Sequence, residues 1–130
     1  MDEMTRWLRK WGTVVCLDGF LPMLWELYNI TGDRDAALIL MYIAGALSLA
    51  FPEVEWIPRS DMELADELCT TVHRIRRARK LLEDDLGIIE TVVKPNAYNG
   101  APTRHYRIIP DKLYELLEDA DALYRFEMEE

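Results

Sequence analysis

Residues 60–86 read SDMELADELCTTVHRIRRARKLLEDDL, two helices set almost end to end. Ser60-Asp61-Met62-Glu63 is a capping box. The Ser60 hydroxyl can accept from the Glu63 backbone N–H, and the Glu63 carboxylate can accept from the Ser60 N–H. The helix that follows offers Met62, Leu64, Ala65 and Leu68 to a core. It is short, because Cys69-Thr70-Thr71 supplies a turn and a new N-cap. From about Thr71 to Leu86, the residues Val72, Ile75, Ala78, Leu82 and Leu86 recur every three or four positions and form one stripe. At roughly 100° per residue, His73, Arg76, Arg77 and Lys80 point away from that stripe, with Arg74 on its edge. Gly87 suits the position just past the helix end.

Working outward, Ile88–Val93 is rich in β-branched residues, and Arg104–Ile108 reads as a second strand. Between them, Lys94 to Thr103 carries Pro95, Asn96, Asn99, Gly100 and Pro102, so the two strands form a β-hairpin with a turn-rich loop. Pro110 opens a last helix with Leu113, Leu116, Leu117, Ala120, Leu123 and Tyr124 on its apolar face. Upstream, Glu55-Trp56-Ile57 reads as a short strand before Pro58. Asp33 or Asp35 opens a helix to about Ala50. It is apolar nearly all round, as a helix buried on several sides should be. Trp7, Leu8 and Trp11 precede a short β-like run, Val14–Leu17. A helix from about Phe20 to Tyr28 follows, with Leu21, Leu24, Trp25 and Tyr28 at helical spacing and Pro22 in its first turn.

The 130 residues suit one domain, with an extension at 1–32, a core at 33–109 and a final helix at 110–130. Half of the side chains are apolar, which excludes a disordered chain. The start has no signal-peptide layout, and the longest uncharged run, Ala36 to Pro52, is short for a membrane span. A cytoplasmic protein with no membrane contact is expected. Cys16 and Cys69 read as ordinary buried thiols, and neither has a second ligand at metal spacing. His73 and His105 read as surface or groove-facing polar residues, and Tyr106 and Trp56 as core. No nucleophile, phosphate loop or paired-carboxylate motif stands out, so an enzyme is not expected, nor a cofactor or metal. The net charge is −9, but its distribution is uneven. Residues 70–107 hold eight of the 15 basic side chains and four of the 24 acidic ones, so this stretch is +4 and the remainder −13.

This order of elements resembles the winged helix-turn-helix DNA-binding family, and more narrowly the winged-helix modules of phage and plasmid replication proteins. The matching residues are Trp56–Ser60, Met62–Leu68, Val72 and Ile75, Leu86–Glu90, and Thr103–Ile108. Two features depart from the pattern. Cys69-Thr70 stands where the helix-turn-helix glycine is expected, and the third helix is one residue longer before Gly87. The resemblance implies a mainly α fold with a small β-hairpin and extra helices at both ends. It also implies sequence-specific binding of double-stranded DNA through a recognition helix at about 70–86 and a wing at 94–103, in transcriptional regulation or at a replication origin.

The residues give that function a physical basis. A helix fits the major groove, and exposed Arg74, Arg76 and Arg77, with Lys80 and His73, can reach base edges or phosphates. Thr70 and Thr71 at the helix start suit a phosphate oxygen. Lys94 and Arg104 flank the loop, and Asn96 and Asn99 occupy it. A plainer reading pairs Arg79 with Glu83 and Lys80 with Asp84 along one solvated face. Arg74, Arg76 and Arg77 have no acidic partner at helical spacing, which favours the DNA reading. The sequence assigns no role to Glu83, Asp84 and Asp85, which the helix dipole disfavours at that end. The alternative function is a protein-interaction module whose acidic surface docks on a partner, as a small phage protein inhibiting host machinery would. The apolar face of the last helix, together with Trp7, Leu8 and Trp11, leads to the expectation of a homodimer through the terminal helices. The competing arrangement docks both end helices within one chain.

Overall fold

The computed structural model describes residues 2–17 and 20–120. The elements are α1 (Glu3–Leu17), α2 (Phe20–Thr31), α3 (Arg34–Leu49), β1 (Ile57–Pro58), α4 (Asp61–Glu67) and α5 (Val72–Lys80). A π-helical turn (Leu81–Asp85), β2 (Ile89–Pro95), β3 (Pro102–Ile108) and α6 (Pro110–Asp119) complete the order. The architecture is mainly helical with one small antiparallel sheet, strand order β1-β3-β2.

The uncharged run becomes the central helix, α3. Asp33 caps it, its carboxylate accepting from the Ala36 N–H at 3.0 Å. Ala36, Ile39, Leu40, Ile43, Ala44 and Leu47 are all buried, so the helix is enclosed on several sides as its composition requires. The Arg9 guanidinium donates to the Leu47 and Ala50 carbonyls and so satisfies the far end. No helix among the described residues is long and apolar enough to cross a membrane.

α1 lies close against α3. Gly12 permits this, because a Cβ there would collide with the Ala44 backbone carbonyl. Val14–Leu17 is helical, not the strand its β-branched residues suggest. Leu8, Trp11 and Val15 are buried at helical spacing on one face, and that packing overrides the weak β preference. α2 runs three residues past the expected Tyr28 and buries Met23 and Leu27. Trp25 and Tyr28 are exposed instead, while the expectation for the Leu21 side chain lies outside the described residues.

The capping box forms as expected, with Ser60 N–H donating to Glu63 at 2.9 Å and Glu63 N–H donating to Ser60 Oγ at 3.1 Å. Leu64 and Ala65 are buried and Leu68 is half-buried, but Met62 points to solvent. Cys69 is exposed rather than buried, and its φ is +55°. It takes the left-handed conformation that a glycine adopts more easily, so the chain makes the expected turn with a different residue. Thr71 then caps α5, accepting from the Arg74 N–H at 3.2 Å.

The extra residue before Gly87 is absorbed by the π turn. The Leu86 N–H reaches back five residues to the Leu81 carbonyl, at 2.9 Å, and the Ile88 N–H donates to the Leu82 carbonyl at 2.8 Å. This widening keeps Ile75, Ala78 and Leu82 buried on one stripe and brings Gly87 to φ +65°. β2 pairs with β3 from Ile89↔Ile108 to Pro95↔Pro102. β1 is limited to Ile57–Pro58 against Tyr106 and His105, shorter than the strand expected from Glu55. Most core residues expected from sequence gather in one cluster, with Leu64, Ile75, Leu82, Ile89, Tyr106 and Ile108 buried and Leu68 and Val72 packed at its edge, but Trp56, also expected there, is half-buried outside it. At the C-terminal end, Leu113 and Leu117 are buried and Tyr114 meets Trp7 edge-on at 5.1 Å. The end helices therefore dock on each other within one chain over this part of the stripe. Leu123 and Tyr124 lie outside the described residues.

Candidate nucleic-acid interface

Spacing along α5 puts His73, Arg76, Arg77 and Lys80 on its outer face, and all four are exposed. The arginines have acidic partners after all, supplied by other elements. Arg74 Nε donates to Asp35 Oδ2 at 2.8 Å, Arg76 Nε to Asp61 Oδ2 at 2.9 Å, and Arg77 to Asp33 Oδ2 at 3.3 Å. Asp33 and Asp35 come from the start of α3, and Asp61 from the first turn of α4. The pairing along α5 itself does not form. Arg79 turns inward to Asp61 and donates to Tyr106 Oη at 3.0 Å, and no Lys80–Asp84 ion pair is present among the described residues.

The pairs leave the outer guanidinium groups accessible while anchoring them. The side chains of Arg76 and Arg77 are 65% and 59% exposed, whereas those of Asp61 and Asp33 are 20% and 15% exposed. Each arginine is thus held from behind by a carboxylate set deeper in the protein, with donors still facing solvent. Burial alone would raise the Asp61 carboxyl pKa. The hydrogen bonds from Arg79 and Arg76 outweigh it and hold the group below the usual aspartate value. Tyr106 is pushed up, chiefly by burial.

The Thr71 hydroxyl accepts as the α5 cap and keeps its own O–H on an exposed residue, whereas the Thr70 hydroxyl is buried without a hydrogen-bond partner. Glu83 has a structural role that its sequence position hides. Its carboxylate accepts from the Thr91 N–H at 2.8 Å and from the Thr91 hydroxyl at 3.0 Å. Thr91 Oγ1 in turn accepts from Arg104 at 2.8 Å. Arg104 is thereby tied across the hairpin, and the π turn after α5 is tied to β2. Asp84 and Asp85 remain exposed.

From Val92 outward, β2 and the loop are exposed except at the half-buried Asn96 and Thr103. Asn96 organises the loop, its Oδ1 accepting from the Tyr98 and Asn99 N–H groups at 2.9 Å each and its Nδ2 donating to Thr103 Oγ1 at 2.8 Å. Asn99 Oδ1 accepts from the Ala101 N–H at 2.9 Å. The Asn96 side chain is spent on the turn, the exposed Asn99 keeps its amide donors, and Tyr98, 95% exposed, forms the tip. The Lys94 ammonium stands 5.3 Å from the centre of the half-buried Trp56 ring. His105, expected near the surface, is buried, with Nδ1 2.9 Å from the Thr103 carbonyl, while His73 is exposed as expected.

The fold therefore brings His73, Arg76, Arg77 and Lys80 together on one helix face and separates Arg104 and Asn96 into internal bonding roles, while Asn99 stays exposed on the loop with its amide donors free. The three aspartate anchors were missed because their partners lie 15 to 44 residues away in sequence, where no periodicity links them. No family model, characterised protein or solved structure matches this chain.

Proposed function

We propose that this chain is a winged helix-turn-helix domain that binds double-stranded DNA in a sequence-specific way, as a transcriptional regulator or a replication-origin-binding protein. The order α3, β1, α4, α5, β2, β3, with β1 on the outer edge of β3, supports the fold reading. The observation that carries the functional reading is the outer face of α5. There Arg76 and Arg77 are exposed, anchored from behind and flanked by Lys80 and His73. Anchored guanidinium groups lose little freedom when they form paired hydrogen bonds to guanine O6 and N7. Arg74, pinned to a buried carboxylate, serves to seat the helix. The hairpin loop from Lys94 to Thr103 is the wing, with Lys94 and Tyr98 offered to the backbone or a neighbouring groove. Selection of bound duplexes from a random pool tests this: a recurrent motif supports it, and a pool that stays random argues against it.

A second reading rests on the same arginines. Asp33, Asp35 and Asp61 offset much of the positive charge of α5, and the rest of the chain is strongly acidic. A protein-interaction module that docks on a basic partner fits that balance. Duplex affinity and its dependence on salt separate the two readings.

A further inference from the structure

A groove of about 660 Å³ opens between α1, α3 and the α4–α5 turn. Its lining includes Leu38, Met41, Ala46 and Leu49 of α3 and Leu68 beside the turn. Leu49, at 83% exposure, is left unprotected at its edge. The size lies within the range of small-molecule sites, and such a lining favours a hydrocarbon body.

One guanidinium interrupts this apolar surface. Arg59 Nε donates to Tyr42 Oη at 2.9 Å, one Nη donates to the Pro58 carbonyl at 2.6 Å, and its central carbon sits 5.5 Å from the Tyr42 ring centre. These partners are neutral. No ion pair within 4.0 Å joins Arg59 to a carboxylate among the described residues, although the exposed Glu67 also lines the groove. The group is therefore oriented but not neutralised, and a guanidinium has further N–H donors in a planar fork.

We infer that the groove binds a small amphipathic monocarboxylate, its hydrocarbon body against α3 and its carboxylate on Arg59. A neutral ligand leaves the guanidinium without an anion, and a dianion brings a second charge toward an apolar wall or Glu67. One charge on an apolar body of medium length fits both constraints. The site stands independently of the DNA reading. It does border Leu68 and Cys69, the turn that leads into α5.

Decanoate and 1-decanol, matched in length and differing in charge, are the probes, titrated into the full chain below their aggregation limits and followed by NMR. Decanoate is expected to shift signals of Leu38, Ala46 and Leu68 and to bind roughly tenfold more tightly than decanol, the usual difference for a charge-assisted hydrogen bond. Arg59→Gln should bring the two probes to similar affinity, and Arg59→Lys should keep part of the preference. Ala46→Phe, which fills the groove while keeping Arg59 in the chain, should weaken both. Equal binding of the two probes to the natural chain overturns the inference, as does a preference that survives Arg59→Gln. Shifts confined to other surfaces also overturn it, as do groove signals that move on dilution without ligand, which mark a second copy as the occupant. Should Arg59→Gln fail to fold, Ala46→Phe and the decanoate-to-decanol ratio of the natural chain decide the matter alone.

Discussion

Asp35 and Arg74 stand 39 residues apart in sequence, yet Arg74 Nε lies 2.8 Å from Asp35 Oδ2, in contact between the first turn of α3 and the first turn of α5. The Asp35 side chain is only 1% exposed, and its other oxygen has no hydrogen-bond partner. The pair fixes the basic helix to the central helix of the core, so the placement of the candidate interface depends on a carboxylate that never reaches the surface.

Arg74→Ala removes the hydrogen-bonded partner of that carboxylate and leaves it only Arg34, whose Nη2 stands 4.0 Å from the other oxygen. The expected cost is at or below about 3 kcal/mol, the low end for a broken buried pair, because Arg74 is itself 45% exposed. In an Asp35→Asn background the same change should cost clearly less. A double-mutant cycle in urea measures the coupling, and strictly additive losses would refute a direct interaction.

Gly12→Ala tests the close approach of α1 to α3. Alanine normally favours a helix over glycine by about 1 kcal/mol. Here the added methyl meets the Ala44 carbonyl, and backbone cannot swing aside as a long side chain can. A net loss of roughly 1–3 kcal/mol is expected from overpacking. A gain in denaturant midpoint would show that the helices are not packed this tightly.

Cys69→Gly should act in the opposite direction. At φ +55° a side chain is strained by about 1–2 kcal/mol, and glycine removes that strain while adding some freedom to the unfolded chain. The balance predicts a stabilisation of up to about 1 kcal/mol, and Cys69→Val, branched at Cβ, a loss. Thermal unfolding of the two variants compares them directly.

Asp61 gives the acid response a defined direction. Its folded-state pKa is depressed, so the folded protein binds fewer protons there than the unfolded chain. The stability it contributes is present above the ordinary aspartate value, about 3.9, and is lost as pH falls through the lower folded value. The stability difference between the natural chain and Asp61→Asn should therefore be full near neutrality and close progressively below about pH 4. A pH-independent difference would mean that the charge on Asp61 does not matter to folding.

The helices and the hairpin were legible because they follow local rules. Ser60 and Glu63 signal a helix start by their spacing alone, and Ile75, Ala78 and Leu82 mark a buried stripe without reference to anything else. Val14–Leu17 misled because its β-branched side chains favour a strand, and only the neighbouring Leu8 and Trp11 face makes it helical. The π turn showed in the sequence as one residue too many before Gly87, though not as the conformation that absorbs it. At the candidate interface, the exposed positions of α5 followed from periodicity. The ties of Asp33, Asp35 and Asp61 to its arginines, and of Glu83 to Thr91, depend on the tertiary fold and leave no local pattern.

The central proposal, that the outer face of α5 binds duplex DNA, is tested most directly by fluorescence anisotropy of a labelled duplex across a salt series. The natural chain and the variants Arg76→Gln, Arg77→Gln and Lys80→Gln are compared. Binding at low salt is expected, with affinity falling linearly in log–log form as salt rises. A variant that removes a phosphate contact should lower that slope by about one, and a variant that removes a base contact should cost about 1–3 kcal/mol on the selected motif alone. A folded chain that shows no duplex binding at low salt, or affinities unchanged in all three variants, contradicts it.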